Sequence, residues 1–188
     1  MARQAQSDDT SSNRNAIALL TADHEKVSKL FDQFKKMQDN GSDAEKRSLV
    51  KQVCNELTVH AQIEEEIFYP ALRGAADAED LLDEAEVEHA SIKKLVSDLE
   101  FMNPGAAFYD AKFTVLSEYV RHHVEEEQNQ IFPKAKKSGM DLDQIGEELA
   151  DRKQELAALY GIETEEQQTP VAARPKRSHS ESSHKKAP

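Results

Sequence analysis

Two histidine–glutamate pairs, each spaced four residues apart, are the part of this sequence best suited to chemistry. His60 and Glu64 form one pair, and His123 and Glu127 form the other. Residues four apart share one face of an α-helix and lie about 6 Å apart along its axis, so both side chains of a pair can converge on one point. Imidazole and carboxylate ligands without thiolate suit iron or manganese. The pairs therefore predict a metal site.

An internal repeat adds two further histidines to these pairs. The residues around His24 (DHEKVSKLFDQF) and around His89 (EHASIKKLVSDL) align without gaps. The residues that follow His60 and His123 align in the same way, and the two offsets are 65 and 63 residues. We expect the duplicated helical hairpins to pack about a pseudo-two-fold axis. Four histidines and two carboxylates would then meet in two equivalent pairs.

The elements that must position these residues are amphipathic helices. Apolar residues recur at helical spacing, and the predicted helices cover about 15–39, 43 to the region of Pro70 and Gly74, 77–102, 106–137 and 142–160. At about 100° per residue, each of the first four helices places one histidine on its apolar stripe. Short loops between long helices favour antiparallel neighbours.

The predicted fold is all-α: an up-down-up-down antiparallel four-helix bundle with an extra C-terminal helix and a disordered tail. The tail has little apolar content, so burial cannot offset the entropy of its chain. The four predicted regions are a flexible N-terminal lead at 1–14, the bundle at 15–138, the additional amphipathic helix at 139–162 and the tail at 163–188.

Composition excludes several classes of protein. The chain of 188 residues carries 36 acidic and 24 basic residues, a net charge of -12, which argues against nucleic acid and anionic membranes as partners. No apolar run approaches the roughly 18 residues of a membrane span. The single cysteine, Cys54, excludes an internal disulfide and a Cys-rich zinc site. Residues 1–14 show no secretory signal, so the cytoplasm is the expected compartment.

A metal centre explains the inward-facing polar residues better than a buried His–Glu salt network. Ionised groups in a bundle core are costly unless they are paired or bind a metal. Four imidazoles and two carboxylates exceed a single tetrahedral zinc site. They suit two ions, each with two histidines, bridged by Glu64 and Glu127. Iron is favoured by its abundance.

Two further residues are candidates for an additional ligand or a hydrogen bond to the cluster. Glu56 and Tyr119 lie four residues before His60 and His123, about 40° from them on the same helical face. The alternative for Glu56 is a surface salt bridge. The alternative for Tyr119 is a packed aromatic ring whose hydroxyl reaches another partner.

The motifs, taken in order, resemble the hemerythrin-like, or HHE cation-binding, family. The resemblance covers roughly residues 15–137 and rests on His24, His60-x-x-x-Glu64 with the following Phe-Tyr-Pro, His89, and His123-x-x-x-Glu127 with Ile-Phe-Pro. It implies a four-helix bundle with a non-haem di-iron centre, in which an oxo or hydroxo group bridges two iron ions. Members of this family bind or sense oxygen, and some handle nitric oxide, peroxide or iron.

Two positions depart from the oxygen-carrying members of the family. Lys93 stands where those proteins have a fifth histidine, and Glu127 follows its histidine by four residues where they have an aspartate at five. Open iron positions would favour redox chemistry with oxygen or peroxide, including weak peroxidase or catalase-like activity, over reversible oxygen carriage. We therefore expect a di-iron protein for a small ligand such as O2, NO or peroxide.

Two other functions remain open from the sequence. One is iron storage or iron homeostasis without ligand chemistry, and the other is a metal-free helical module with a reactive histidine. The sequence assigns no catalytic residue, no organic cofactor and no protein partner.

Overall fold

The computed structural model describes residues 15–162, and this range contains α-helices and two π-helical turns. The predicted lead at 1–14 and tail at 163–188 lie outside the described residues. The elements are α1 (Ala16–Met37), α2 (Asp43–Ile63), π1 (Glu64–Phe68), α3 (Tyr69–Ala75), α4 (Glu79–Glu100), α5 (Tyr109–Glu126), π2 (Glu127–Ile131), α6 (Phe132–Lys137) and α7 (Leu142–Tyr160).

Four helical rods form the bundle. The second rod runs without interruption through α2, π1 and α3, and the fourth runs through α5, π2 and α6; α1 and α4 are the first and third. The first rod contacts the second, the second contacts α4, α4 contacts the fourth, and the fourth contacts α1, so the four rods close a ring. The predicted all-α four-helix bundle with an extra C-terminal helix is confirmed.

Local side-chain chemistry fixes several helix ends. Asn15 caps α1 by accepting a hydrogen bond from the backbone N–H of Ile17. Ser42 and Glu45 form a reciprocal capping box at the start of α2. Gly41 packs tightly against the last turn of α1, because a Cβ added there would lie 2.7 Å from the carbonyl oxygen of Met37. The helix ends at Met37, just before the predicted break at Asn40-Gly41, and there is no room for a Cβ at position 41.

The two π turns begin at the two glutamates of the sequence pairs. The backbone N–H of Tyr69 donates to the carbonyl of Glu64, and that of Phe132 donates to the carbonyl of Glu127, each five residues earlier. Proline has no N–H and its ring crowds the carbonyl four residues before it, which an ordinary helical turn cannot accommodate. Pro70 is the second residue after the first widened turn, and the second rod continues past it to Ala75.

The core divides into two apolar clusters with a polar layer between them. One cluster includes Leu20, Ile63 and Leu82 at one end of the bundle. The other includes Val27 and Phe113 at the opposite end. Helix α7 packs against α1 and α2 and adds Leu149 and Leu156 to the first cluster. Among residues 15–162, none of the helices has the length and apolarity needed to cross a membrane.

Candidate metal centre

The polar layer contains the six residues that the sequence predicted as ligands. All are buried, with at most 7% of the residue exposed. They are His24, His60, Glu64, His89, His123 and Glu127. Each rod contributes one histidine, and the second and fourth rods add a glutamate at the first residue of a π turn. The equivalent residues of the two sequence repeats therefore lie in the same layer of the bundle.

The first group of potential ligand atoms, which we call position A, contains His24, His60, Glu64 and Glu127. The two imidazole Nε2 atoms are 3.0 Å apart. His60 Nε2 lies 3.2 Å from Oε1 of Glu64, and His24 Nε2 lies 3.2 Å from Oε2 of Glu127. Four nitrogen and oxygen atoms therefore converge on one point.

The second group, position B, contains His89, His123 and Glu64. The Nε2 atoms of the two histidines are again 3.0 Å apart. His89 Nε2 lies 3.4 Å from Oε2 of Glu64, and His123 Nε2 lies 3.8 Å from Oε2 of Glu127. One oxygen of Glu64 thus faces each position, as a bridging carboxylate requires.

The donor set fits a cation. Both oxygens of Glu64 and Oε2 of Glu127 are buried and receive no hydrogen bond. Burial alone would lower the pKa of His60, but Glu64 and Asp23 outweigh it and raise that pKa well above its ordinary value. Burial opposes the charge of Glu127 too, yet His24 and His123 hold its pKa below its ordinary value. Positive charge is thus strongly favoured at the centre of the layer, whether carried by protons or by metal ions.

Comparison with known proteins agrees with this geometry. The sequence model of the hemerythrin HHE cation-binding domain matches residues 15–135, which is more than half of the chain. The chain belongs to the hemerythrin HHE cation-binding family. The match contains all six residues of positions A and B and stops short of α7.

A solved structure supports the family at the level of the fold. It is that of a hemerythrin HHE cation binding domain-containing protein, the Rv2633c homolog from Mycobacterium kansasii, at a TM-score of 0.66 and 25% identity. The likeness covers 80% of this chain and 93% of that one. A cation-binding helical domain is therefore shown for this chain.

The chain is also similar in sequence to part of a protein described as a DNA nickase. The DNA nickase of Nostoc sp. strain PCC 7120 is 28% identical over 121 residues, which are 63% of this chain. This chain matches only 32% of the length of that relative.

Aromatic rings cover positions A and B on the side of the π turns. The ring of Tyr69 stacks on His89 with centroids 5.7 Å apart, and the ring of Phe132 stacks on His24 at 5.9 Å. The Tyr69 hydroxyl donates to Oε1 of Glu127 over 3.1 Å. The Phe-Tyr-Pro and Ile-Phe-Pro segments therefore supply the aromatic rings that pack against the histidines. The same segments also supply the prolines that follow the π turns.

A small cavity lies on the opposite side of the four histidines. It measures about 20 Å³, and all four histidines reach its wall. The volume suffices for a water or a molecule of a few atoms. Its remaining wall is mainly apolar and includes Val27, Leu57, Ala61, Ile92, Val120 and Val124.

The two additional candidates, Glu56 and Tyr119, belong to neither position A nor position B. Glu56 is buried, but its Oε1 pairs with Nζ of Lys26 at 2.5 Å, and the residue belongs to neither group. Tyr119 is 49% exposed at the bundle surface. Tyr119 lies about 40° from His123 at the edge of the apolar face of α5, and at this edge its ring reaches solvent. Glu56 forms a salt bridge as the alternative expected, but its carboxylate is buried and not at the surface.

Sequence reasoning missed the residues that contact the outer nitrogens of the histidines. At about 100° per residue, Glu65 points about 140° away from His60, toward solvent or a neighbouring helix edge. In the structure its Oε1 lies 2.9 Å from Nδ1 of His89 on α4. Lys93 reaches the same carboxylate, with Nζ 2.5 Å from Oε2. The repeat offered a signal for this layer, because Asp23 and Glu88 align one residue before the first and third histidines.

Proposed function

We propose that this chain is a non-haem di-iron protein that binds, or reacts with, a small diatomic or peroxide ligand. The observation that carries the proposal is the pair of ligand groups joined by Glu64, beside a cavity whose wall includes four imidazoles. Nitrogen and oxygen donors without thiolate suit iron. Two bound iron ions would supply open coordination positions and reversible electron transfer.

The side chains around the centre have distinct tasks in this proposal. Glu64 and Glu127 hold the two positions close together, because each carboxylate faces histidines of both. The apolar cavity wall limits access of water, which protects a reactive ligand from unwanted proton transfer. Tyr69 keeps a proton on its hydroxyl within hydrogen-bond distance of Glu127. Burial, with the charges of Glu64 and Glu127, raises the pKa of Tyr69 well above its ordinary value, so the hydroxyl stays protonated.

The size of the cavity favours ligand chemistry over bulk iron storage. About 20 Å³ admits one small molecule and no mineral particle. Weak peroxidase or catalase-like turnover is compatible with such a cavity and with a buried proton on Tyr69. DNA nicking is not proposed, since a chain of net charge -12 repels the DNA backbone.

Elemental analysis combined with ligand-titrated absorption spectroscopy tests this function. Protein expressed with added iron is expected to contain iron and to show near-ultraviolet bands that change with azide, oxygen or peroxide. Glu118→Gln, at an exposed site, serves as the control for handling. Iron without any ligand-dependent band, combined with loss of helicity on chelation, would instead support iron homeostasis. Absence of all metal would support the metal-free helical module.

A further inference from the structure

The two metal positions differ in the groups that touch the outer nitrogens of their histidines. In the sequence the repeat pairs Asp23 with Glu88, and Glu65 with Gln128. Three of these four residues are carboxylates, and the fourth is a neutral amide. Each position holds two histidines and faces Glu64, whereas Glu127 lies nearer to position A and the residues around the outer nitrogens differ.

Position B has two close carboxylate partners. Glu65 Oε1 lies 2.9 Å from Nδ1 of His89, and Glu88 Oε2 lies 2.8 Å from Nδ1 of His123. Both are hydrogen-bond distances. A carboxylate that accepts the Nδ1 proton fixes the ring orientation and increases the basicity of the Nε2 that faces the metal.

Position A has longer and less charged contacts. Asp23 Oδ2 lies 3.4 Å from Nδ1 of His60, and the amide nitrogen Nε2 of Gln128 lies 3.5 Å from Nδ1 of His24. With a metal on Nε2, the Nδ1 of His24 is an N–H donor, and Gln128 can accept its hydrogen bond only by turning its neutral amide oxygen toward it. One imidazole of position A therefore lacks carboxylate support.

The lysines near these groups do not remove the difference. Lys153 of α7 contacts Asp23 beside position A, and Lys93 contacts Glu65 beside position B. These two lysine–carboxylate pairs balance each other between the positions. Glu88 then remains as an additional negative charge at position B, where the equivalent remaining residue at position A is the amide of Gln128.

We propose that position B, with His89 and His123, binds the first divalent cation, and that position A, with His24 and His60, is the weaker and more exchangeable position because Gln128 replaces a carboxylate. This inference rests on the proposed metal site. Groups that orient metal-bound histidines typically change metal affinity by about 10- to 100-fold. The two stepwise dissociation constants should therefore differ by at least about tenfold.

Anaerobic titration of the full-length apo protein with Co²⁺, followed by its visible absorption, tests the order of binding. Wild type should bind in two separable steps. Gln128→Glu should tighten the weak step by about tenfold, and Glu65→Gln should weaken the tight step by a similar factor, so both variants bring the two steps together. Matched controls are Gln52→Glu and Glu118→Gln, which make the same chemical changes at exposed sites.

Crystals grown with one equivalent of Co²⁺ locate the first ion by anomalous scattering. Density between His89 and His123 would support the proposal, and density between His24 and His60 or equal density at both would overturn it. Two equivalent ions bound in one step would also overturn it while leaving the proposed metal site intact. Failure to bind any Co²⁺ by a protein with unchanged helical circular dichroism would overturn both.

Discussion

The Tyr69 hydroxyl donates to Oε1 of Glu127 over 3.1 Å, at a position where the internal repeat places Phe132 in the other half of the bundle. This hydrogen bond joins the second rod to the fourth through the centre of the polar layer. Both residues are fully buried. The contact makes the two halves of the site chemically different on the side of the π turns.

Tyr69→Phe should therefore weaken the protein without changing its fold. Removing a buried hydrogen bond to a charged group should lower the free energy of unfolding by about 1–3 kcal/mol, measured by urea denaturation. In the iron-loaded protein the ligand-dependent absorption should shift as well, because Glu127 loses a donor. Tyr119→Phe is the matched control at an exposed tyrosine and should change stability by less than about 0.5 kcal/mol and leave the bands in place. Equal effects of the two changes would contradict a special role for Tyr69.

Glu64→Ala should remove more metal than Glu65→Ala. Glu64 faces histidines of both positions, whereas Glu65 touches only the outer nitrogen of His89. After saturation with iron and desalting, elemental analysis should show a fall from about two ions per chain to fewer than one for Glu64→Ala. Glu65→Ala should still load at saturating metal. A similar loss of metal from both variants would contradict the assignment of Glu64 as a direct ligand and Glu65 as a partner of the His89 ring.

Leu149→Ala tests whether α7 belongs to the core, although it lies outside the residues matched by the family. Leu149 is fully buried in the cluster formed with α1 and α2. Its truncation should lower the free energy of unfolding by about 2–5 kcal/mol, as large-to-small changes in packed cores do. Leu159→Ala, on the same helix but 76% exposed, should cost less than about 0.5 kcal/mol. A small loss at both sites would mean that α7 is a dispensable appendage.

Cys54 should be inert in the folded protein. Burial, with the charge of Glu100, raises the pKa of its thiol to about 12, compared with an ordinary value of about 8.5. Iodoacetamide at pH 8 should label the thiol in urea and spare it in the native state. Because the folded state retains the proton longer than the unfolded state, stability from this group falls as pH rises from about 8.5 toward 12. Cys54→Ala should flatten that dependence, and rapid native labelling would contradict the buried position.

The helical spacing of apolar residues predicted the bundle and its polar layer. His24 lies between Leu20 and Val27 on the apolar stripe of α1, so the sequence placed an ionisable group inside the core. Burial of such a group is tolerable only with a partner of opposite charge or a metal. Because this pattern recurs on four helices, the sequence alone predicted the site.

The regular helical wheel did not include the two π turns. It assumed about 100° per residue throughout, but π1 and π2 widen the helix from Glu64 and from Glu127 onward. Glu65, at the second residue of π1, contacts His89 on the neighbouring helix α4. Pro70 and Pro133, both six residues after the paired glutamates, were the available sequence signal for these turns.

The sequence by itself determined the residue types of the centre, their assignment to helices and the two-fold repeat, because burial periodicity and ligand chemistry are local properties of the chain. Only the tertiary structure decided which oxygen of Glu64 faces which histidine, that Glu56 pairs with Lys26, and that Asp23 lies between α7 and His60. These contacts join residues distant in sequence, and their distances depend on how whole helices pack. A pattern of spacings contains no such information.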